Sequence, residues 1–175
     1  MVSERSLALL PLATLVLLAG CASSGIRSTP ATDSARAMSA TIPQGYATRG
    51  ERVAILARDL VGTPYRYGGS SPETGFDCSG LVYYTYSRTG VTVPRSSQDL
   101  FKSSRKIPLA DAAPGDLIFF QDQEKLSHMG IYLGGRRFVH APSSGKTVSV
   151  AHIDTPYYQQ HLIAVGRFPV IGPTT

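Results

Sequence analysis

Apolar residues recur at two different periods along the chain, and the change from one to the other divides it. Thr48-Arg49-Gly50-Glu51 has the spacing of a capping box, and Val53, Leu56, Ala57 and Leu60 then share one face of a predicted helix that Gly62 and Pro64 end. A second stripe, Cys78, Leu81, Val82 and Thr85 at i, i+3, i+4 and i+7, follows Asp77, a good N-cap, and predicts a helix stopped at Gly90. Val82, Tyr83, Tyr84, Thr85 and Tyr86 would individually prefer a strand, so here the period outweighs the propensity. Residues 66–75 read as a loop of Gly, Ser and Pro, and Leu100 with Phe101 marks a short stretch of helical turn. Beyond residue 105 the period shortens. Pro114-Gly115-Asp116 is a turn, and Leu117 to Phe120, His128 to Leu133, Arg137 to Ala141, Thr147 to Ala151 and Leu162 to Phe168 read as strands. Helices first and strands afterwards predict an α+β domain over residues 48–175, its N-terminal helices packed on an antiparallel β-sheet.

The chain begins differently. Arg5 precedes an uninterrupted apolar run from Leu7 to Leu18, too short to span a bilayer comfortably and ended by small residues, as in a cleaved export signal. Leu18-Ala19-Gly20-Cys21 resembles the lipobox of bacterial lipoproteins, with Glu4 making the leading segment less basic than usual. That resemblance implies a signal peptide over residues 1–20 and an acylated Cys21 as the mature N-terminus. Ala22, not Asp, follows the cysteine, which by the same resemblance points to the periplasmic face of the outer membrane. Residues 22–47 are rich in Ser, Thr, Ala and Pro without apolar periodicity and read as a flexible tether. Fully extended, it would reach on the order of 80 Å.

With 175 residues, 42% hydrophobic and 17% charged, the remainder suffices for one globular domain. The net charge of +5 suits anionic surroundings, but the basic residues do not cluster and the chain is exported, so nucleic acid is excluded as a partner.

Candidate chemistry centres on Cys78, the only cysteine outside the leader. A lone cysteine is most often a small buried hydrophobe. At the start of a helix, however, free N–H groups and the macrodipole favour a thiolate, and a thiolate is a nucleophile. Such a nucleophile needs a base, for which imidazole is suited. Of four histidines, His152 and His161 lie in weakly patterned flanks and read as surface or packing residues, whereas His128 begins one predicted strand and His140 ends the next.

Cys78, His128 and His140 in this order, with Gly62 to Gly69, Phe76 to Val82, Val93-Pro94-Arg95, Pro114 to Phe120, Ser127 to Gly134 and Phe138 to Ala141, resemble the NlpC-type peptidases, a papain-like family that cuts bacterial cell-wall peptides. The resemblance implies a papain-like fold with Cys78 as nucleophile, His128 as general base and then acid, and His140 as the residue that orients His128. It also implies that Tyr65 lies beside the cysteine to polarise the carbonyl or bind substrate, and that Ser79 offers a backbone N–H there. Asp77 and Asp116 match family positions but read as a helix cap and a turn residue. One departure is Leu100, which stands where family members often carry a glutamine. The implied reaction is hydrolysis of a peptidoglycan stem peptide, at the D-γ-glutamyl-diamino acid bond, through an acyl-enzyme formed by a monomer without metal or cofactor. Three rivals remain at this point: a zinc site built from Cys78, His128 and His140, a wall-binding lipoprotein that keeps the fold without catalysis, and an acyltransferase or amidase acting on another amide.

The hairpin carrying the two histidines sets a geometric condition. To meet each other and Cys78 they must share one sheet face, which requires paired residue numbers with an even sum. A simple two-residue turn at Gly134-Gly135 or Gly135-Arg136 gives an odd sum and separates them. A three-residue loop, Gly134 to Arg136, or a β-bulge is therefore expected, with His140 opposite Gly130.

Overall fold

The computed structural model describes residues 48–123, 125–143 and 146–168. Helix α1 (Arg49–Asp59) opens on the capping box that its sequence encodes, Thr48 Oγ1 accepting from Glu51 N–H at 3.1 Å and Glu51 Oε2 accepting from Thr48 N–H at 2.6 Å. Gly62, at φ +95°, turns the chain away beyond its end. Helix α2 (Cys78–Arg88) is capped by Asp77 and followed by Gly90 at φ +78°, so both of its predicted ends hold. Between α1 and α2 the predicted loop contains a minute antiparallel hairpin, β1 (Ser70–Ser71) with β2 (Gly75–Phe76), too short to leave a periodic signature. Helix α3 (Ser97–Ser103) buries Leu100.

Six strands form one antiparallel sheet: β3 (Arg105–Ile107), β4 (Leu117–Asp122), β5 (Lys125–Gly134), β6 (Arg137–His140), β7 (Ser149–His152) and β8 (Leu162–Arg167), in the order β3-β8-β4-β5-β6-β7. Helix α4 (Pro156–His161) precedes β8. The register pairs Leu117 with Ile131 and Ile131 with Val139, so these residues, with Phe119 and Met129, share the face on which α1 and α2 pack. The alternate residues Ile118, Phe120, Tyr132 and Phe138 form a second apolar cluster on the opposite face, which α4 covers with Tyr158. Helices therefore lie on both faces of the sheet, where the sequence predicted N-terminal helices alone. Six residues are too few for a helical stripe to show, and β3 carries two exposed basic residues.

Asp116 proves to be more than a turn residue. It is fully buried, its carboxylate accepting from Ala113 N–H at 2.7 Å and from Arg167 Nη2 and Nε at 2.6 and 2.8 Å, which ties the entry of β4 to β8. The buried Tyr86 hydroxyl donates to the neighbouring Gly115 carbonyl at 2.5 Å and fixes α2 over the same turn.

Two bulges shape β5. Phe120 pairs with His128 but Gln121 with Leu126, leaving Ser127 as an extra residue immediately before the histidine. At the other end Tyr132 pairs with Phe138 but Gly134 with Arg137, leaving Leu133 extra. The turn itself is the two-residue Gly135-Arg136, both at φ +57°, and the bulge restores the even sum. Parity is thus met by the second of the two expected devices. The register places His140 opposite Gly130, and a Cβ on Gly130 would lie 2.6 Å from the Phe138 ring and 3.3 Å from His140 Cβ. The export signal, Cys21 and the tether lie outside the described residues.

Candidate active site

The site starts from the cap of α2. Asp77 Oδ1 accepts from Gly80 N–H at 2.6 Å, which leaves the N–H groups of Cys78 and Ser79 in the first turn, where a helix has no carbonyls to offer them. Both N–H groups, with that of Met129 on β5, pull the Cys78 thiol toward the thiolate. Arg95 grips the cap with two parallel bonds, Nη1 to Oδ1 and Nη2 to Oδ2 of Asp77 at 3.0 Å each, and also donates to Ser79 Oγ at 2.7 Å and to the Gly69 carbonyl at 3.2 Å. Burial alone would raise the Asp77 carboxyl, but Arg95, the Gly80 N–H and Ser79 outweigh it and hold it below the usual carboxylate range. A Cβ on Gly80 would collide with the Gly69 carbonyl, so this glycine lets the loop close onto the helix start. The Ser79 hydroxyl, donating to Asp77 Oδ1 at 3.1 Å and accepting from Arg95, belongs to this clamp.

The two histidines come together. His128 Nε2 lies 2.7 Å from His140 Nδ1, with ring centroids 4.9 Å apart. His128 also stacks on Phe120, whereas the nearly buried His140 sits among Phe138 and Tyr158, its Nε2 facing Ser149 Oγ at 3.4 Å and the Tyr158 hydroxyl at 3.5 Å. Both imidazoles project from the face away from α2, so the expectation that Cys78 shares their face needs correcting. Cys78 packs with the cluster on the helix face, and the Met129 N–H, which follows His128 on β5, lowers its thiol. With Nε2 of His128 and Nδ1 of His140 turned toward each other, these nitrogens do not converge on a common point with the sulfur, which argues against the zinc reading.

The electrostatics also depart from expectation. Burial, reinforced by the Asp77 charge, pushes the Cys78 thiol up to about 11, against the three backbone N–H groups that pull it down. The helix end favours a thiolate as expected, but desolvation opposes it and wins here. Burial and the neighbouring His140 push His128 down to about 3, and burial with the Lys146 charge pushes His140 down to about 4. At neutral pH the thiol and both imidazoles are therefore neutral. Tyr65 is raised by its own burial and by Cys78 and Asp77, which keeps its phenol a donor. Its backbone N–H donates to the Lys146 carbonyl at 2.8 Å.

Above the sulfur lies a cleft of about 530 Å³ lined by Tyr65, Tyr67, Cys78, Arg95, Ser96 and Ser127 among others. Leu100 lies apart from it, fully buried in the core, so the departure from the family glutamine falls at a packing position. His152 is exposed at the end of β7, and His161 stacks on Tyr157 at 4.2 Å at the end of α4, matching the surface roles read for them.

Residues 62–167 match the NlpC/P60 family. The chain belongs to that family. Among curated NlpC/P60 relatives, the bifunctional muramidase/DL-endopeptidase CwlT of Bacillus subtilis is 39% identical over 67% of this chain and 36% of its own length. The murein DD-endopeptidase MepH of Escherichia coli is 37% identical over 66% of this chain and 44% of its own length. The chain thus spans less than half the length of these relatives. The crystal structure of a Staphylococcus aureus NLP/P60 family protein, described as similar to lipoprotein, superposes with a TM-score of 0.63 at 36% identity, covering 75% of this chain and 45% of its own. The crystal structure of the NlpC/P60 domain of the peptidoglycan hydrolase SagA superposes at 0.60 with 31% identity over 68% of this chain and 98% of its own. The α+β papain-like fold of the NlpC/P60 family is therefore this chain's fold, with Cys78 lining its cleft and His128 paired to His140 on the neighbouring strands. Sequence reading missed Arg95 as the clamp on the cap and Ser149 and Tyr158 behind His140. The Pro-Arg pair was visible within the family match, but no spacing linked it to Asp77, and Tyr158 carries no motif.

Proposed function

We propose that this domain is a cysteine endopeptidase that hydrolyses an amide bond in peptidoglycan stem peptides. The observation that carries the reading is the pair of His128 Nε2 and His140 Nδ1 at 2.7 Å, on a strand where His128 adjoins Met129, whose N–H acts on the Cys78 thiol. A neutral thiol becomes a nucleophile when its proton leaves for His128 as the sulfur attacks the carbonyl. The resulting oxyanion rests against the first-turn N–H groups of Cys78 and Ser79, with the Tyr65 phenol as a further donor. His128 then protonates the leaving amine, and water, its proton taken by the same imidazole, releases the acyl group from sulfur.

The relatives' names support a wall peptide as substrate and differ in the bond: DL-endopeptidase for CwlT, murein DD-endopeptidase for MepH, and γ-D-glutamyl-L-lysine dipeptidyl-peptidase for another Bacillus subtilis relative. We assign the D-γ-glutamyl-diamino acid bond within one stem. Digestion of purified muropeptides followed by mass spectrometry tests this. Products shortened after D-glutamate support it, loss of cross-links with intact stems replaces it by DD-cleavage, and unchanged muropeptides with the wild-type protein reject the peptidase reading. The lipobox resemblance supports an acylated Cys21 and attachment at the periplasmic face of the outer membrane.

A further inference from the structure

If Cys78 is to hand its proton to His128, the receiving nitrogen, Nδ1, must be unprotonated, so the hydrogen of the neutral ring sits on Nε2. That hydrogen points at His140 Nδ1, 2.7 Å away, which must then be an acceptor. The single hydrogen of neutral His140 is thereby forced onto its own Nε2. On a ring only 3% exposed, that N–H needs an acceptor. Two oxygens face it, Ser149 Oγ from β7 at 3.4 Å and the Tyr158 hydroxyl from α4 at 3.5 Å. Both are neutral: burial and the nearby Tyr157 raise the Tyr158 phenol. The groups around the ring are then His128 from β5, Ser149 from β7, Tyr158 from α4, and the charge of Lys146 from the loop before β7. Tyr158 is itself held rigidly, edge-on to His140 and to Phe138 with interplanar angles of 88°.

We propose that Ser149 and Tyr158 are positioning residues that together fix the tautomer and orientation of His140 and, through it, the basic nitrogen of His128. The inference rests on the cysteine peptidase reading for its kinetic consequence, but the tautomer it assigns is a property of the protein without substrate. Each oxygen sits at the long end of hydrogen-bond range, so the His140 N–H is shared between them and either alone holds it in part.

The test uses Tyr158→Phe, Ser149→Ala and the double variant, each of which removes oxygen atoms while keeping ring or Cβ packing. Long-range 15N–1H spectra of the imidazoles report the tautomers, and single-turnover kinetics on a wall peptide report the chemical step. The single variants should lose no more than about threefold in kcat, and the double about 30-fold with KM within about twofold. In the double variant the His140 Nε2–H signature should give way to a mixture. Ser149→Thr, which keeps the oxygen, should restore the rate when combined with Tyr158→Phe. A folded double variant with wild-type kcat and unaltered imidazole signals overturns the proposal, and so does a wild-type spectrum with the His140 hydrogen on Nδ1, whether or not any variant folds. A wild-type protein with the Nε2–H signature that cleaves no stem peptide leaves the tautomer assignment standing and sinks the peptidase reading instead.

Discussion

A thiol that burial holds neutral can attack only as its proton departs, so under the proposed mechanism the reactivity of Cys78 would be carried by His128 rather than by a standing thiolate. Two outcomes follow at this scale. Cys78→Ser should abolish peptide release with the fold kept. His128→Ala, which removes the proton acceptor, should cost roughly 10³-fold in kcat/KM and exceed the loss in His140→Ala, which removes only its orienter. Reversed losses in steady-state assays would exchange the two roles. Alkylation by iodoacetamide should be slow at pH 7 and climb toward pH 11, contrary to what the helix terminus alone would give. The same shifts bear on stability. Both histidines have folded values depressed below their unfolded value, so each contributes stability that is present above about pH 6.5 and lost as pH falls toward 4 and 3. Urea unfolding at pH 7 and pH 4 should show a smaller acid loss in a His128→Gln, His140→Gln double variant than in the wild-type protein. The helix start at Cys78 and the meeting of His128 with His140 were legible because their motifs are local in the chain, whereas the protonation of these groups depends on burial, which no motif encodes.

Among the elements, the β5–β6 hairpin decides whether the two imidazoles meet. Parity required an extra residue, and the sequence could state that condition because a strand has a strict two-residue period. It could not say which device meets it, since Gly134 and Gly135 accept either a longer loop or a bulge. Only the fold shows Leu133 as the extra residue and Arg136 in a left-handed conformation, held by its N–H on the Tyr132 hydroxyl at 3.1 Å. The register predicts a specific sensitivity. Gly130→Ala would place a Cβ 2.6 Å from the Phe138 ring and 2.7 Å from the Val139 carbonyl, beside His140. It should therefore destabilise the domain by about 2 kcal/mol in urea unfolding and lower kcat along with it, because the strand that must shift is the one holding His140. An unchanged midpoint would mean that β6 yields freely. At the start of α2, Asp77→Ala removes a cap and strands Arg95, for a loss of about 2 kcal/mol.

For the molecule as a whole, the order of helices before strands was readable from the change of period, and the layering was read only in part. The layer that closes the second face comes from six residues, whose Tyr158 reaches both the apolar cluster and His140. Ahead of this domain stand Leu18-Ala19-Gly20-Cys21 and a polar stretch to residue 47, and under the lipoprotein reading these would set where the proposed activity is exercised. A single acyl chain gives only marginal membrane binding, whereas several together anchor stably, so multiple acylation at Cys21 would hold the domain at a membrane. A tether of about 25 residues would then confine the cleft to wall peptides within on the order of 80 Å of the bilayer. The expected outcome is a mature protein in its native host that begins at Cys21 by mass spectrometry, carries acyl chains and partitions into detergent. Cys21→Ser should leave the cleavage rate on soluble muropeptides unchanged while moving the protein out of the detergent phase. An unmodified Cys21 in the native host would remove the anchor and, with it, any selection of substrate by reach.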